Sequence, residues 1–139
     1  MSTTDSLTTD DLEFLARPLH GFLTVAGSAQ PPQPRPVWFE ATEEGTIRLF
    51  TPAGSPKLRH LRRDPRASIV VAAPADERER WIAVSGPVTE EPDDTTELRL
   101  RLAARYWDLD ERSGDLPALL DEEQVRLVIH PEKVRRFAF

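Results

Sequence analysis

Phe50-Thr51-Pro52-Ala53-Gly54-Ser55-Pro56-Lys57-Leu58-Arg59-His60-Leu61-Arg62-Arg63-Asp64-Pro65 runs from a strand end, through a short Gly-containing loop, into a basic helix start. Ser55 has the side chain of an N-cap, Pro56 suits the first helical position, and Asp64-Pro65 ends the element. Helix starts expose unpaired N–H groups and the positive end of the helix dipole, so they attract anions. Lys57 adds a full charge there, in a chain with two lysines against sixteen arginines.

Charge is concentrated around this segment. Residues 57–66 hold five cations (Lys57, Arg59, Arg62, Arg63, Arg66) against Asp64, a balance of +4, whereas the whole chain is −6 and the remainder therefore −10. A basic island in an acidic protein suits a small anionic ligand better than a nucleic-acid duplex, which draws on a broadly basic face. No nucleic-acid partner is expected. The plain alternative is a solvated helix whose arginines pair with acidic neighbours.

A length of 139 residues predicts one domain, read as 8–139, preceded by a disordered segment 1–7. With 39% hydrophobic and 30% charged residues the composition is that of a water-soluble globular chain. No apolar run reaches the roughly 18 residues a bilayer span needs. The first residues lack the pattern of a signal peptide, so a cytoplasmic location without membrane contact is expected. Zero cysteines exclude disulfides, thiolate metal sites and cysteine nucleophiles. His20, His60 and His130 share no metal-ligand spacing, and no serine sits in a nucleophile elbow, so neither a metal site nor hydrolase chemistry is expected.

Working outward, Thr8 to Arg17 reads as a capped helix stopped by Pro18, and Gly21 to Gly27 as a strand. Arg35 to Ala41 is a strand centred on Val37-Trp38-Phe39, and Thr46 to Thr51 alternates like a half-buried strand. Ala67 to Ala73 is an apolar strand. Arg80 to Thr89 is another, with a bulge or bend at Gly86-Pro87. Asp94 or Thr95 caps a helix to about Trp107, whose Arg99, Arg101 and Arg105 are expected to pair with surface acids. A helical turn near Leu116 to Leu120 and strands Val125 to His130 and Lys133 to Phe139 close the chain. Short hairpin-connected strands with interspersed helices predict a mainly β fold with helices, an antiparallel barrel of six to seven strands with two to three peripheral helices. Neither a G-x-G-x-x-G nor a P-loop pattern is present.

Three segments carry a resemblance. "RPVWFEA" (Arg35 to Ala41), "IRLFTPAGSPKLRHLRRDPRASIVV" (Ile47 to Val71) and "WIAVSGPVTEEPD" (Trp81 to Asp93) resemble the pyridoxamine 5′-phosphate oxidase-like family of split barrels. The Leu-Arg-Arg-Asp-Pro-Arg-Ala-Ser run is most similar to its actinobacterial members that use the deazaflavin coenzyme F-420. The resemblance implies a split barrel and a homodimer with FMN or F-420 at its interface. It implies an oxidoreductase passing hydride to a small unsaturated or aromatic substrate, with a non-catalytic flavin-binding or storage module as the alternative. It places Arg35, Pro36, Val37 and Trp38 along the cofactor's chain and ring edge. Phe50 and Thr51 would flank the phosphate, Ser55 and Lys57 bind it, and Arg62 and Arg63 reach an acidic tail.

Two positions depart from the oxidases proper, which carry a Lys where this chain has Glu40 and an Arg where it has Pro56. The loss of two phosphate-site cations argues against pyridoxamine phosphate oxidation itself. Deazaflavin members tolerate such changes, and their coenzyme's oligoglutamate tail would meet the basic island. No obligatory catalytic side chain is expected, because a flavin-type coenzyme carries the hydride chemistry.

Overall fold

The alternation in Ile47-Arg48-Leu49-Phe50-Thr51-Pro52 becomes a strand with Ile47, Leu49 and Thr51 buried and the residues between them partly exposed. In the computed structural model, which describes residues 2–28, 30–92 and 94–139, it is the fifth of nine strands. The first half of the chain forms β1 (Ser2–Thr4), α1 (Thr9–Leu15), β2 (Gly21–Val25), β3 (Arg35–Val37), β4 (Glu40–Ala41), β5 (Ile47–Pro52) and α2 (Pro56–Arg63). The second half forms β6 (Arg66–Ala72), β7 (Arg80–Glu91), α3 (Thr96–Tyr106), α4 (Leu109–Arg112), α5 (Leu116–Asp121), β8 (Gln124–Ile129) and β9 (Lys133–Ala138).

All pairings are antiparallel. Seven strands follow the path β3-β2-β6-β7-β8-β5-β4, with β9 paired to β7 and β1 to β9. The 12-residue β7 belongs to both halves of the curled sheet. Along one edge its first part pairs with β9 (Arg80 to Ser85) and its second with β8 (Val88 to Glu91). The switch falls at Gly86-Pro87, the predicted bend. There the His130 N–H donates to the Pro87 carbonyl and the Glu132 N–H to the Ser85 carbonyl. A Cβ on Gly86 would run into the His130 carbonyl, so only glycine fits.

The path has a second peculiarity. Its two end strands, β3 and β4, are consecutive in sequence and separated only by Trp38-Phe39. The barrel is therefore split between them and spanned by two residues of chain. The sequence predicted one continuous strand from Arg35 to Ala41; instead the chain leaves the β2 side at Val37 and joins β5 at Glu40. Phe39 is wholly buried in the core with Phe14, Leu15, Ile47, Ile69 and Ile129.

Two further differences have physical causes. Ser2–Thr4, expected without structure, pair with Val134 to Arg136. Arg136 secures them by donating to Ser2 Oγ (3.1 Å) and Thr4 Oγ1 (2.9 Å) while bound to buried Asp11 (2.6 Å). The expected ion pair of Arg101 forms, with Glu40 at 2.7 Å. Arg99 and Arg105 instead bind main-chain carbonyls. Arg99 donates to Leu119 O (3.1 Å), and Arg105 to Leu15 O (2.7 Å), Ala16 O (3.0 Å) and Arg17 O (2.6 Å). Among the described residues no helix is long and apolar enough to cross a membrane.

Candidate functional site

Helix α2 starts as its sequence dictates. Ser55 is the N-cap, its Oγ accepts from the Leu58 N–H (3.3 Å), and Pro56 opens the first turn. Thr51, buried at the end of β5, shares a hydroxyl–hydroxyl bond of 3.0 Å with Ser55. Strand end and helix start are thereby locked together. Leu58 and Leu61 anchor the helix in the core, and Lys57 and His60 lie half-buried beside them. That spacing of three keeps both on one helical face.

On that face lies a cavity of about 460 Å³ whose lining includes Arg35, Thr51, Ser55, Lys57 and His60. A second cavity of about 290 Å³ is lined by Pro36, Val37, Trp38, Phe50, Leu119 and also by Thr51, Pro52 and Lys57. The two meet at the shared residues; both walls are mostly apolar, the first (the polar chamber) set apart by its charged and hydroxyl side chains and the second (the apolar chamber) by its aromatic rings. Eight of the ten residues singled out in the sequence (Arg35, Pro36, Val37, Trp38, Phe50, Thr51, Ser55, Lys57) are brought together here.

Arg62 and Arg63 line neither cavity. Arg62 forms a bidentate pair with Glu90 (3.1 and 2.7 Å), and Arg66 one with Asp64 (2.8 and 2.7 Å). Arg63 donates to His60 Nδ1 (2.7 Å), at the rim. The basic island thus divides. Part of it is the ordinary ion-paired surface, while Lys57 has no carboxylate partner among the described residues.

Lys57 is electrostatically unsatisfied. Burial first, and the Arg35 guanidinium second, push its ammonium below the ordinary lysine value. An anion in the polar chamber would relieve both penalties, since it neutralises the cation and replaces lost hydration. An ammonium, a guanidinium and the one hydroxyl proton that the Thr51–Ser55 pair leaves free, beside a helix start, form a donor set that matches a phosphate.

The apolar chamber is shaped by an aromatic group. Trp38 stacks on Tyr106 (5.3 Å between centroids, 7° between planes) and meets the edges of Trp107 (5.0 Å, 86°) and Phe50 (6.5 Å, 83°). Leu119 closes the other side, its carbonyl held by Arg99. Sequence reasoning passed over His60, Leu119 and Tyr106. Only His60 had a local signal, the three-residue spacing from Lys57; the other two come from remote elements.

Known proteins share the fold. A model of the pyridoxamine 5′-phosphate oxidase family matches residues 7–136. The chain belongs to that family. Its nine-stranded sheet is accordingly the family's split barrel. No curated protein matches the chain. Among solved structures it is similar to an F-420 reductase, with 27% identity, TM-score 0.69, and 88% of this chain and 94% of that one covered. The conserved hypothetical protein Rv2991 from Mycobacterium tuberculosis superposes with TM-score 0.74 at 22% identity, covering 97% of this chain and 88% of that one. A FAD-binding protein from Mesorhizobium loti superposes with TM-score 0.60 at 20% identity, covering 98% and 97%. At those two identities the likeness speaks for the fold.

Proposed function

We propose that this family member is an oxidoreductase that binds coenzyme F-420 or FMN in the paired cavities and passes hydride to a small unsaturated or aromatic substrate. The observation that carries the reading is Lys57, a part-buried ammonium without a carboxylate partner among the described residues, set where the polar and aromatic chambers join. Lys57, Ser55 and Thr51 would hold the phosphate. Arg35 to Val37 would follow the ribityl chain, and Trp38 and Phe50 would border the ring. When bound, such a coenzyme supplies a two-electron hydride donor or acceptor. The chain's own part is to orient the ring, exclude water from it and neutralise the phosphate.

F-420 is the favoured coenzyme. Arg59 and Arg63 have no carboxylate partner among the described residues, and Arg63 bonds His60, which lines the cavity, so an acidic tail leaving on that side would meet both cations. Glu40, engaged with Arg101 and Arg48, supplies no cation to the site, which argues against pyridoxamine phosphate oxidation.

Fluorescence titration with both coenzymes tests the reading. Lys57→Ala is expected to weaken binding by roughly ten- to a hundredfold, the effect of one hydrogen bond to a charged group. Full affinity of that variant for both coenzymes would sink the assignment. The sign of the pH dependence follows from Lys57. Its lowered value in the free protein rises when an anion binds, so binding takes up protons between the two values. Affinity is expected to fall as pH rises through that alkaline interval, and the fall should disappear in Lys57→Ala. Anaerobic oxidation of the reduced coenzyme by an acceptor panel separates an enzyme from a module that only holds its ligand.

A homodimer belongs to the same reading. The outer face of the sheet carries Phe22 and Val70 in register, 46% and 39% exposed, with Pro36 beside Phe22. A second copy of the chain would cover them. Sedimentation should show a dimer that Val70→Glu shifts toward monomer at micromolar concentration; a wild-type monomer would remove the dimer from the proposal.

A further inference from the structure

The chain that spans the barrel's split, Trp38-Phe39, has no ladder partner to fix it, since β3 ends at Val37 and β4 begins at Glu40. Trp38 is nevertheless a wall of the aromatic chamber. Its orientation must come from side-chain packing, and the largest parallel contact it makes is with Tyr106. Tyr106 lies at the end of α3 and lines neither cavity.

Tyr106 is itself firmly placed. Its hydroxyl donates to Leu19 O (2.8 Å) and receives a long bond from the Phe39 N–H (3.4 Å), so it touches the main chain of the same span. The Arg105 guanidinium lies 5.3 Å from its ring centre and the His20 ring 5.4 Å away. Trp107, next in sequence, lies perpendicular to Trp38 and carries the Arg112 guanidinium over its own ring at 4.0 Å. One helix end thus presents a parallel ring and a perpendicular one to Trp38.

We propose that Tyr106 is a positioning residue: its ring, by stacking on Trp38, sets the wall against which the ligand's planar ring lies. The inference rests on the coenzyme reading for the ligand, but the orientation of Trp38 is measurable without one. Stacking of this kind is an energetic effect of the size that distinguishes two side-chain rotamers. The hydroxyl is secondary, because its short bond goes to Leu19 and not to Trp38.

The test compares Tyr106→Phe, which keeps the ring, with Tyr106→Leu, which removes it. In the ligand-free protein the near-ultraviolet circular dichroism of the Trp38–Tyr106–Trp107 group should persist in the Phe variant and collapse in the Leu variant. With F-420 or FMN the Leu variant should bind about tenfold more weakly and lose the ring-stacking change in the coenzyme's visible spectrum, with both restored by Phe. Equal loss in both variants, or no loss in either, overturns the proposal. Should the Leu variant not fold, the Phe variant decides: retention of the ligand-free dichroism supports the stack, and its loss overturns it. If wild type binds neither coenzyme, the function proposed above falls, while the dichroism still settles the role of Tyr106.

Discussion

A Gly86→Ala substitution is expected to cost more than about 4 kcal/mol, enough to deprive a domain of this size of most of its stability. The added Cβ would meet the His130 carbonyl, with the Glu132 N–H close behind, and neither is the movable end of a side chain. Both belong to the turn between β8 and β9, whose backbone bonds to Ser85 and Pro87 hold the two halves of the sheet on β7. Relief would require breaking those bonds, leaving buried backbone groups without partners. Gly54→Ala is the control, because a Cβ there meets nothing within 4 Å. Urea unfolding of the two variants checks the claim. A Gly86→Ala protein within about 0.5 kcal/mol of wild type would refute it.

Arg105→Met is expected to cost about 3–4 kcal/mol, the next largest effect. Its two terminal nitrogens donate to the carbonyls of Leu15 and Ala16, acceptors of the kind every helix leaves at its C-terminal end, and to that of Arg17, which also accepts from the Leu19 N–H. Its guanidinium also lies 5.1 Å from the centre of buried Phe39. A methionine of similar length would fill the space and leave the Leu15 and Ala16 carbonyls without the guanidinium, while Arg17 O keeps the Leu19 N–H. The Nε, buried without a partner, already offsets part of the gain. Lysine should recover less than half of the loss, because one ammonium cannot reproduce a fork that reaches three oxygens. Urea denaturation of Met and Lys variants is the measurement; equal stability of Arg105→Lys and wild type would contradict the account.

Much of the barrel was legible because its strands announce themselves locally. Ile47 to Thr51 alternates, Ala67 to Ala72 is β-branched and apolar, and Gly86-Pro87 marks the bend. The strand Ser2–Thr4 was not legible, having no apolar residue, and it is held by Arg136 from the far end of the chain. The break at Trp38-Phe39 was hidden for the opposite reason: a run of aromatic and β-branched residues reads as strand whether or not a neighbour pairs with it. At the site, residues near Ser55 could be gathered from sequence because cap, proline and lysine are adjacent. Tyr106 and Leu119 could not, since Leu119 joins the cavity wall, and Tyr106 the ring behind that wall, from elements tens of residues away in the chain. Arg99 and Arg105 misled because an arginine on a charged helix in an acidic chain looks like a surface ion-pair partner, whereas a guanidinium serves carbonyls equally well.

The two-residue span between β3 and β4 gives the molecule a direction in which to breathe. Elsewhere around the barrel, separating neighbouring strands breaks a ladder; along this seam there is none to break, only side-chain packing and the Tyr106 tether. Amide hydrogens of residues 37–40 should therefore exchange with solvent well before those of β6 and β7, through local opening that leaves the rest of the sheet intact. The seam borders the aromatic chamber. Local opening there would widen the chamber along a boundary that the fold never stitched.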